Sequence, residues 1–232
     1  MDSTRRQARV AGFLYLLACI TAPFSLIYVP RTLVVAGDAT ATANHVRAST
    51  TLLRLGIADE LFVSIAIIFA VLALYRLFKS VNERDAVLMA VLLLISVPVS
   101  LFNVLNDIAP LILVSGAGFL SAFQANQLDS LTYLFLRLHN QGLVVAQIFW
   151  GLWLFPYGML VIRSGFIPRL LGVLLIIAGF GYVASSIAVL FLPQYARPIS
   201  LIALVLELGE LPIILWLLIW GAKTQRSAAT AS

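Results

Sequence analysis

Glu207 and Glu210 stand close to one helical turn apart inside the apolar run from Ile199 to Gly221, and Pro212 follows almost at once. Two acids on one helical face beside a proline are suited to holding a proton or a cation. An acid at the centre of a bilayer costs roughly 2.5–3.5 kcal/mol on insertion scales, so an intramembrane carboxylate marks a function and requires a partner. Pro212 cannot donate to the carbonyl of Leu208 and crowds it, which predicts a kink after Glu207. Irregular backbone at membrane depth survives where it is buried in protein or lines a wet cavity, so the break is either a site or a tolerated kink.

A second polar stripe runs along an earlier apolar segment. Ser96, Ser100, Asn103 and Asp107 recur at i, i+4, i+7 and i+11, one face of a helix, with Asn106 beside them and Pro98 among them. Arg137, Asn140 and Gln141 cluster near the start of the fourth run, with Gln147 about two turns deeper, and Asp59 shares a side of the second run with Ala66, Ala70 and Ala73. Counted along the runs, Asp59, Asn103, Asp107 and Glu207 fall in the outer half, Glu210 near the midplane and Arg137 above them. Arg137, helped by Arg54, is then the basic partner for an excess of acids, and a proton-binding cluster is the physical consequence. The expected roles follow. Glu210 and Glu207 carry a proton or cation, Asp59 and Asp107 complete the acidic lining, Arg137 attracts or gates an anion, and Asn103, Asn140 and Gln141 orient a ligand by hydrogen bonds.

Other chemistries lack their residues. His45 and His139 are the two histidines and share no metal-binding motif, so no metal or cofactor is expected, and His139 reads as a hydrogen-bonder at the interface. Cys19 is the single cysteine, which excludes an intrachain disulfide and a cysteine-based metal site. No nucleophile elbow, phosphate loop or dinucleotide fingerprint occurs, so there is no catalytic candidate. The net charge of +5 could suggest nucleic acid, but the basic residues lie singly between apolar runs and form no patch.

The elements that must position these groups are membrane helices. The 232 residues are 62% hydrophobic and 11% charged, more apolar than a soluble core requires. Six spans are expected, at about 10–29, 55–75, 86–106, 131–162, 170–191 and 199–221, forming one all-α bundle and a single domain over 1–232. The first follows Arg5, Arg6 and Arg9 like a signal peptide, but its length is that of an uncleaved span. With both termini cytoplasmic, ten basic residues (Arg5, Arg6, Arg9, Arg76, Lys79, Arg84, Arg163, Arg169, Lys223, Arg226) lie inside and five (Arg31, Arg47, Arg54, Arg137, Arg197) outside. That division favours this orientation. The fourth run would be about 48 Å long as one helix, so its first turns stand at or above the outer interface. Of the two long outer connections, Pro30 to Arg54 is a polar connector and Pro110 to Asp129 is apolar enough to lie along the membrane surface. Gly151 and Gly158 against Gly172 and Gly179, both at seven-residue spacing, predict a tight hairpin of the fourth and fifth spans.

A resemblance is carried by Leu138-His139, Phe149-Trp150-Gly151, the run from Arg163 through Gly165 and Pro168 to Gly172, Gly179-Phe180-Gly181-Tyr182, Leu192-Pro193, Leu208-Gly209-Glu210-Leu211 and Trp216-Leu217-Leu218. Arg9 to Leu16 and the region from Leu55-Gly56 to Arg76 add to it. On these residues the chain resembles a family of bacterial multi-pass membrane proteins, domain of unknown function 4386, over nearly its whole length. The resemblance implies a six-helix integral membrane protein and no activity, and it favours Glu210 over Glu207. In the family's pattern a histidine is common where this chain has Trp153, and an acid near Ala184 to Ser186. Neither is present here, so chemistry that used those groups would be lost or altered.

The expected function is that of a non-enzymatic protein of the bacterial inner membrane with an outward-opening polar site, for a small ligand or a proton-linked solute. An intramembrane enzyme acting on lipid and an accessory subunit held together by its polar stripes are the alternatives. The partners expected are the lipid bilayer and a small molecule or proton, with no nucleic acid.

Overall fold

The computed structural model describes residues 3–222. Among them the chain forms seven helices and no strand, namely α1 (Arg5–Leu33), α2 (Ala39–Ala48), α3 (Thr50–Phe78), α4 (Glu83–Leu113), α5 (Ala125–Ser164), α6 (Arg169–Phe191) and α7 (Pro193–Ile219). All but α2 are long and apolar enough to cross a membrane, and they coincide with the six expected spans. Large apolar side chains such as Phe69, Phe102, Phe180, Phe191 and Val205 are exposed on them, the arrangement a lipid solvent favours. The protein is membrane-embedded. Lys223 and Arg226, counted on the inner side above, lie outside the described residues.

Four helices are locally irregular, three of them at prolines. α1 widens into a π turn over Phe24–Tyr28, flanked by Pro23 and Pro30, whose missing N–H groups break the regular ladder. α4 tightens after Asn103, where the N–H of Asp107 donates to the carbonyl of Val104 at 3.0 Å, one residue short of the α pattern. α5 is interrupted at Trp153, where Pro156, four residues after Leu152, cannot donate to the Leu152 carbonyl and crowds it. α7 forms a 3-10 turn over Leu208–Glu210 immediately before Pro212, the break expected there.

Contacts group the chain into two compact units. The first takes in residues up to Leu16, Ile67–Ser96 and the chain from Gln147 onward. Its centre holds the fully buried Tyr157, stacked on Trp153 at 5.0 Å and edge-on to Phe78 at 5.6 Å. The hairpin of α5 and α6 turns at Gly165, whose φ of +70° closes α5 in the left-handed conformation that glycine adopts without strain. Arg9 Nη2 donates to the carbonyl of Ile219 at 2.9 Å, satisfying one of the free acceptors at the end of α7.

The expected close approach of α5 and α6 is present. A Cβ built on Gly158 would stand 2.6 Å from the carbonyl oxygen of Gly172, and one on Gly179 would stand 2.9 Å from that of Gly151. Backbone cannot move aside as a flexible side chain can. Gly179→Leu is therefore expected to destabilise the protein by about 1–3 kcal/mol through overpacking, read as its unfolding in mixed micelles. Unchanged stability would remove the tight hairpin.

The second unit takes in Leu17–Ala66 and Val97–Ala146. Its apolar core is built on Val29, Leu33, Val46, Leu53 and Leu136. Val46 belongs to α2, so the segment expected to be a polar connector is instead a packed helix. Asp38 caps it by accepting from the N–H of Ala41 at 2.8 Å, and Thr42, Ala43 and Val46 form its buried face. α2 is fastened to α5 by an ion pair between Arg47 and Asp129, and the segment before it by the N–H of Gly37 donating to the Tyr133 hydroxyl at 3.1 Å. The stretch between α4 and α5 carries a 3-10 turn at Gly118–Ala122 rather than a surface α-helix.

Candidate functional site

In the second unit, the buried face of α3 runs through Leu53, Gly56, Glu60 and Ser64, a helical spacing that sets one carboxylate among small and apolar neighbours. α4 brings Asn103 and Asp107 inward at its tightened turn, and α5 brings Thr132, Leu136 and His139. Glu60, Asp107 and His139 are 8%, 7% and 3% exposed. They meet. Glu60 Oε1 lies 3.1 Å from His139 Nε2, and Asp107 Oδ2 lies 3.2 Å from His139 Nδ1. Each carboxylate faces a different ring nitrogen at ion-pair distance, and neither contact meets the geometry of a hydrogen bond.

Two features hold this arrangement. Asn103 Nδ2 donates to the backbone carbonyl of His139 at 2.9 Å, and Asn106 Nδ2 donates to Asn103 Oδ1 at 3.0 Å. Gly142, one turn beyond His139, lets α4 come this close, since a Cβ there would overlap the Asn103 carboxamide. Gly142→Ala is accordingly expected to displace Asn103 and to cost about 1–3 kcal/mol, seen as a lower melting temperature in detergent. No change in melting temperature would make the Asn103 bond dispensable.

A small cleft reaches Asp107 and His139. Ser25, Val29 and Pro30, at the π turn of α1, form one wall, and Asn140 and Leu136 of α5 form another. Its volume of about 10 Å³ is room for the centre of one water or one small ion, not for an organic solute. Two carboxylates also outnumber the single imidazole, so the ionised group carries surplus negative charge in a setting that punishes it.

The residues expected to form the site are distributed as follows. Asn103, Asp107 and Asn140 come together in the second unit. Asp59 is half-buried, with Oδ2 enclosed and making no hydrogen bond, while Arg137 and Gln141 are exposed. Glu207 and Glu210 belong to the first unit, where Glu207 accepts from Gln147 Nε2 at 3.3 Å and Glu210 accepts from the Tyr182 hydroxyl at 3.0 Å. Two residues of the cluster escaped the sequence reading. Glu60 was passed over for its neighbour Asp59, and His139, read as interfacial, is instead buried inside the protein.

A family model described as "Domain of unknown function (DUF4386)" matches residues 10–221. The chain is also similar to an "Uncharacterized protein" of Archaeoglobus fulgidus, 26% identical over 168 residues that cover 70% of this chain and 98% of that relative. No solved structure matches the chain.

Proposed function

Because the chain belongs to the domain of unknown function 4386 family, which prescribes no activity, we propose one from the site itself: an intramembrane protein that binds a small inorganic cation for sensing or coupled transport. The observation that carries this is a buried histidine whose two ring nitrogens make no hydrogen bond while two buried carboxylates stand 3.1 and 3.2 Å away. Polar groups enclosed this deeply are ordinarily satisfied, and a guest ion would satisfy all three at once. In this reading Glu60, Asp107 and His139 hold the ion, Asn103 fixes the backbone of His139, and Asn140 lines the approach. Glu207 and Glu210, which belong to the first unit, are assigned separately as proton-holding acids. Arg137 and Gln141, both exposed, take no part. A lipid-acting enzyme would need room for an acyl chain, which this cleft lacks. An accessory subunit would join its buried polar groups by hydrogen bonds, as Asn103 and Asn106 are joined, whereas His139 meets its two carboxylates without one.

The test is thermal stability of the purified protein in detergent across a panel of inorganic and organic cations. A rise specific to an inorganic ion, lost in Glu60→Gln, is the expected result. Response to choline or spermidine alone, or to nothing in the panel, would defeat the proposal.

We place the protein in the bacterial inner membrane with both termini cytoplasmic, on the division of its basic residues. In a Cys19→Ser background, Asp38→Cys is expected to react with a membrane-impermeant thiol reagent from outside and Arg226→Cys only from inside. Labelling of both from one side would overturn this topology.

A further inference from the structure

We infer that Glu60, Asp107 and His139 bind one divalent transition-metal cation of the zinc, iron or manganese type, through one ring nitrogen and one oxygen from each carboxylate. This rests on the small-cation reading above and narrows the class of ion. The donor set comes first. Sodium, magnesium and calcium favour shells made wholly of oxygen, whereas an imidazole among the ligands selects a borderline transition metal.

Geometry agrees with that selection. The ligand atoms all lie within 4.8 Å of one another. Donors sharing a tetrahedral ion, at bonds of about 2.0–2.2 Å, stand about 3.3 Å apart, so side-chain rotation must draw the farthest pair together by up to about 1.5 Å to close the set. The placement of the carboxylates is informative too. In a hydrogen-bonded histidine the acceptor lies along the N–H direction, but in a metal site the ion takes that direction and the other ligands stand beside it. Here the carboxylate oxygens stand 3.1 and 3.2 Å from different ring nitrogens without a hydrogen bond, so an ion on one nitrogen has one carboxylate at hand and draws the other in.

The surroundings supply what three protein ligands leave over. A cleft with room for about one water meets Asp107 and His139, where an exchangeable fourth ligand would sit. Asn103 holds the His139 carbonyl at 2.9 Å and is itself held by Asn106 at 3.0 Å, an outer layer that orients the imidazole-bearing turn.

The experiment uses the full chain in nanodiscs, treated with chelator and then titrated separately with Zn²⁺ and Co²⁺, with bound metal counted by mass spectrometry. We expect one ion per chain and visible ligand-field absorption from the cobalt form. Affinity should weaken more than about tenfold in Glu60→Gln, Asp107→Asn and His139→Gln, and stay unchanged in His45→Ala, which alters the exposed histidine. The cobalt spectrum of the parent keeps the test decisive if a variant fails to fold. Absence of such a spectrum, or metal bound equally by the three site variants, overturns the inference. Stabilisation of the parent by sodium or magnesium but not by zinc, manganese or cobalt overturns it while leaving the small-cation reading standing. Response to no inorganic cation overturns both.

Discussion

His139→Leu is expected to destabilise the protein by about 3–5 kcal/mol, the usual consequence of removing one partner from a buried charged group. Leucine is close to histidine in volume, so little of the loss comes from a cavity. The cost is electrostatic: Glu60 and Asp107, 8% and 7% exposed, lose the ring that stands between them and face one another without a counterpart. The same reasoning predicts rescue. In a Glu60→Gln, Asp107→Asn background there are no carboxylates to strand, and His139→Leu should cost less than about 1.5 kcal/mol, as for a tolerated swap of similar volume. Unfolding in mixed micelles of the parent, the single variant, the double variant and the triple variant gives the coupling directly. A cost for His139→Leu that is small, or that stays the same when both acids are neutralised, would reduce the cluster to ordinary packing.

The spans were legible because a continuous apolar run long enough to cross a bilayer has few other readings. Their ends were not. α5 begins at Ala125 rather than near residue 131, since its first turns are written in Asn126, Gln127, Asp129 and Ser130, whose polarity hides a helix from hydropathy. α2 was hidden for the same reason, although its signals were present: Asp38 at the cap and Thr42, Ala43 and Val46 on one face. The polar stripe of α4 pointed to the site, because Asn103 and Asp107 occupy one face of a single helix. Glu60 and His139 could not be joined to it by spacing alone, since their meeting depends on how three helices pack. On α3 the difference between the half-buried Asp59 and the buried Glu60 is about 100° of rotation, less than an amphipathic pattern resolves in a helix that is apolar nearly all round.

The ion pair that fastens α2 should respond unequally to loss of its two members. Asp129 is 8% exposed at its side chain and Arg47 is 38% exposed. Arg47→Leu strands an enclosed carboxylate, which costs on the order of 2–3 kcal/mol once the partial exposure of the pair is allowed for. Asp129→Asn leaves a guanidinium that water can reach and that still donates to Asn44 Oδ1 at 2.9 Å, and the new amide keeps a hydrogen-bonding oxygen toward it. Its cost should fall near that of a surface pair, below about 1 kcal/mol. Melting temperatures of the two variants, with limited proteolysis within residues 34–49, separate the cases. Greater loss and faster cleavage are expected for Arg47→Leu, because Val46 beside it anchors α2 to the core formed with Val29, Leu33, Leu53 and Leu136. Equal costs for the two variants would mean that the enclosed carboxylate finds another partner when the arginine goes. A neutral Arg47→Leu would mean that apolar packing alone keeps α2 in place.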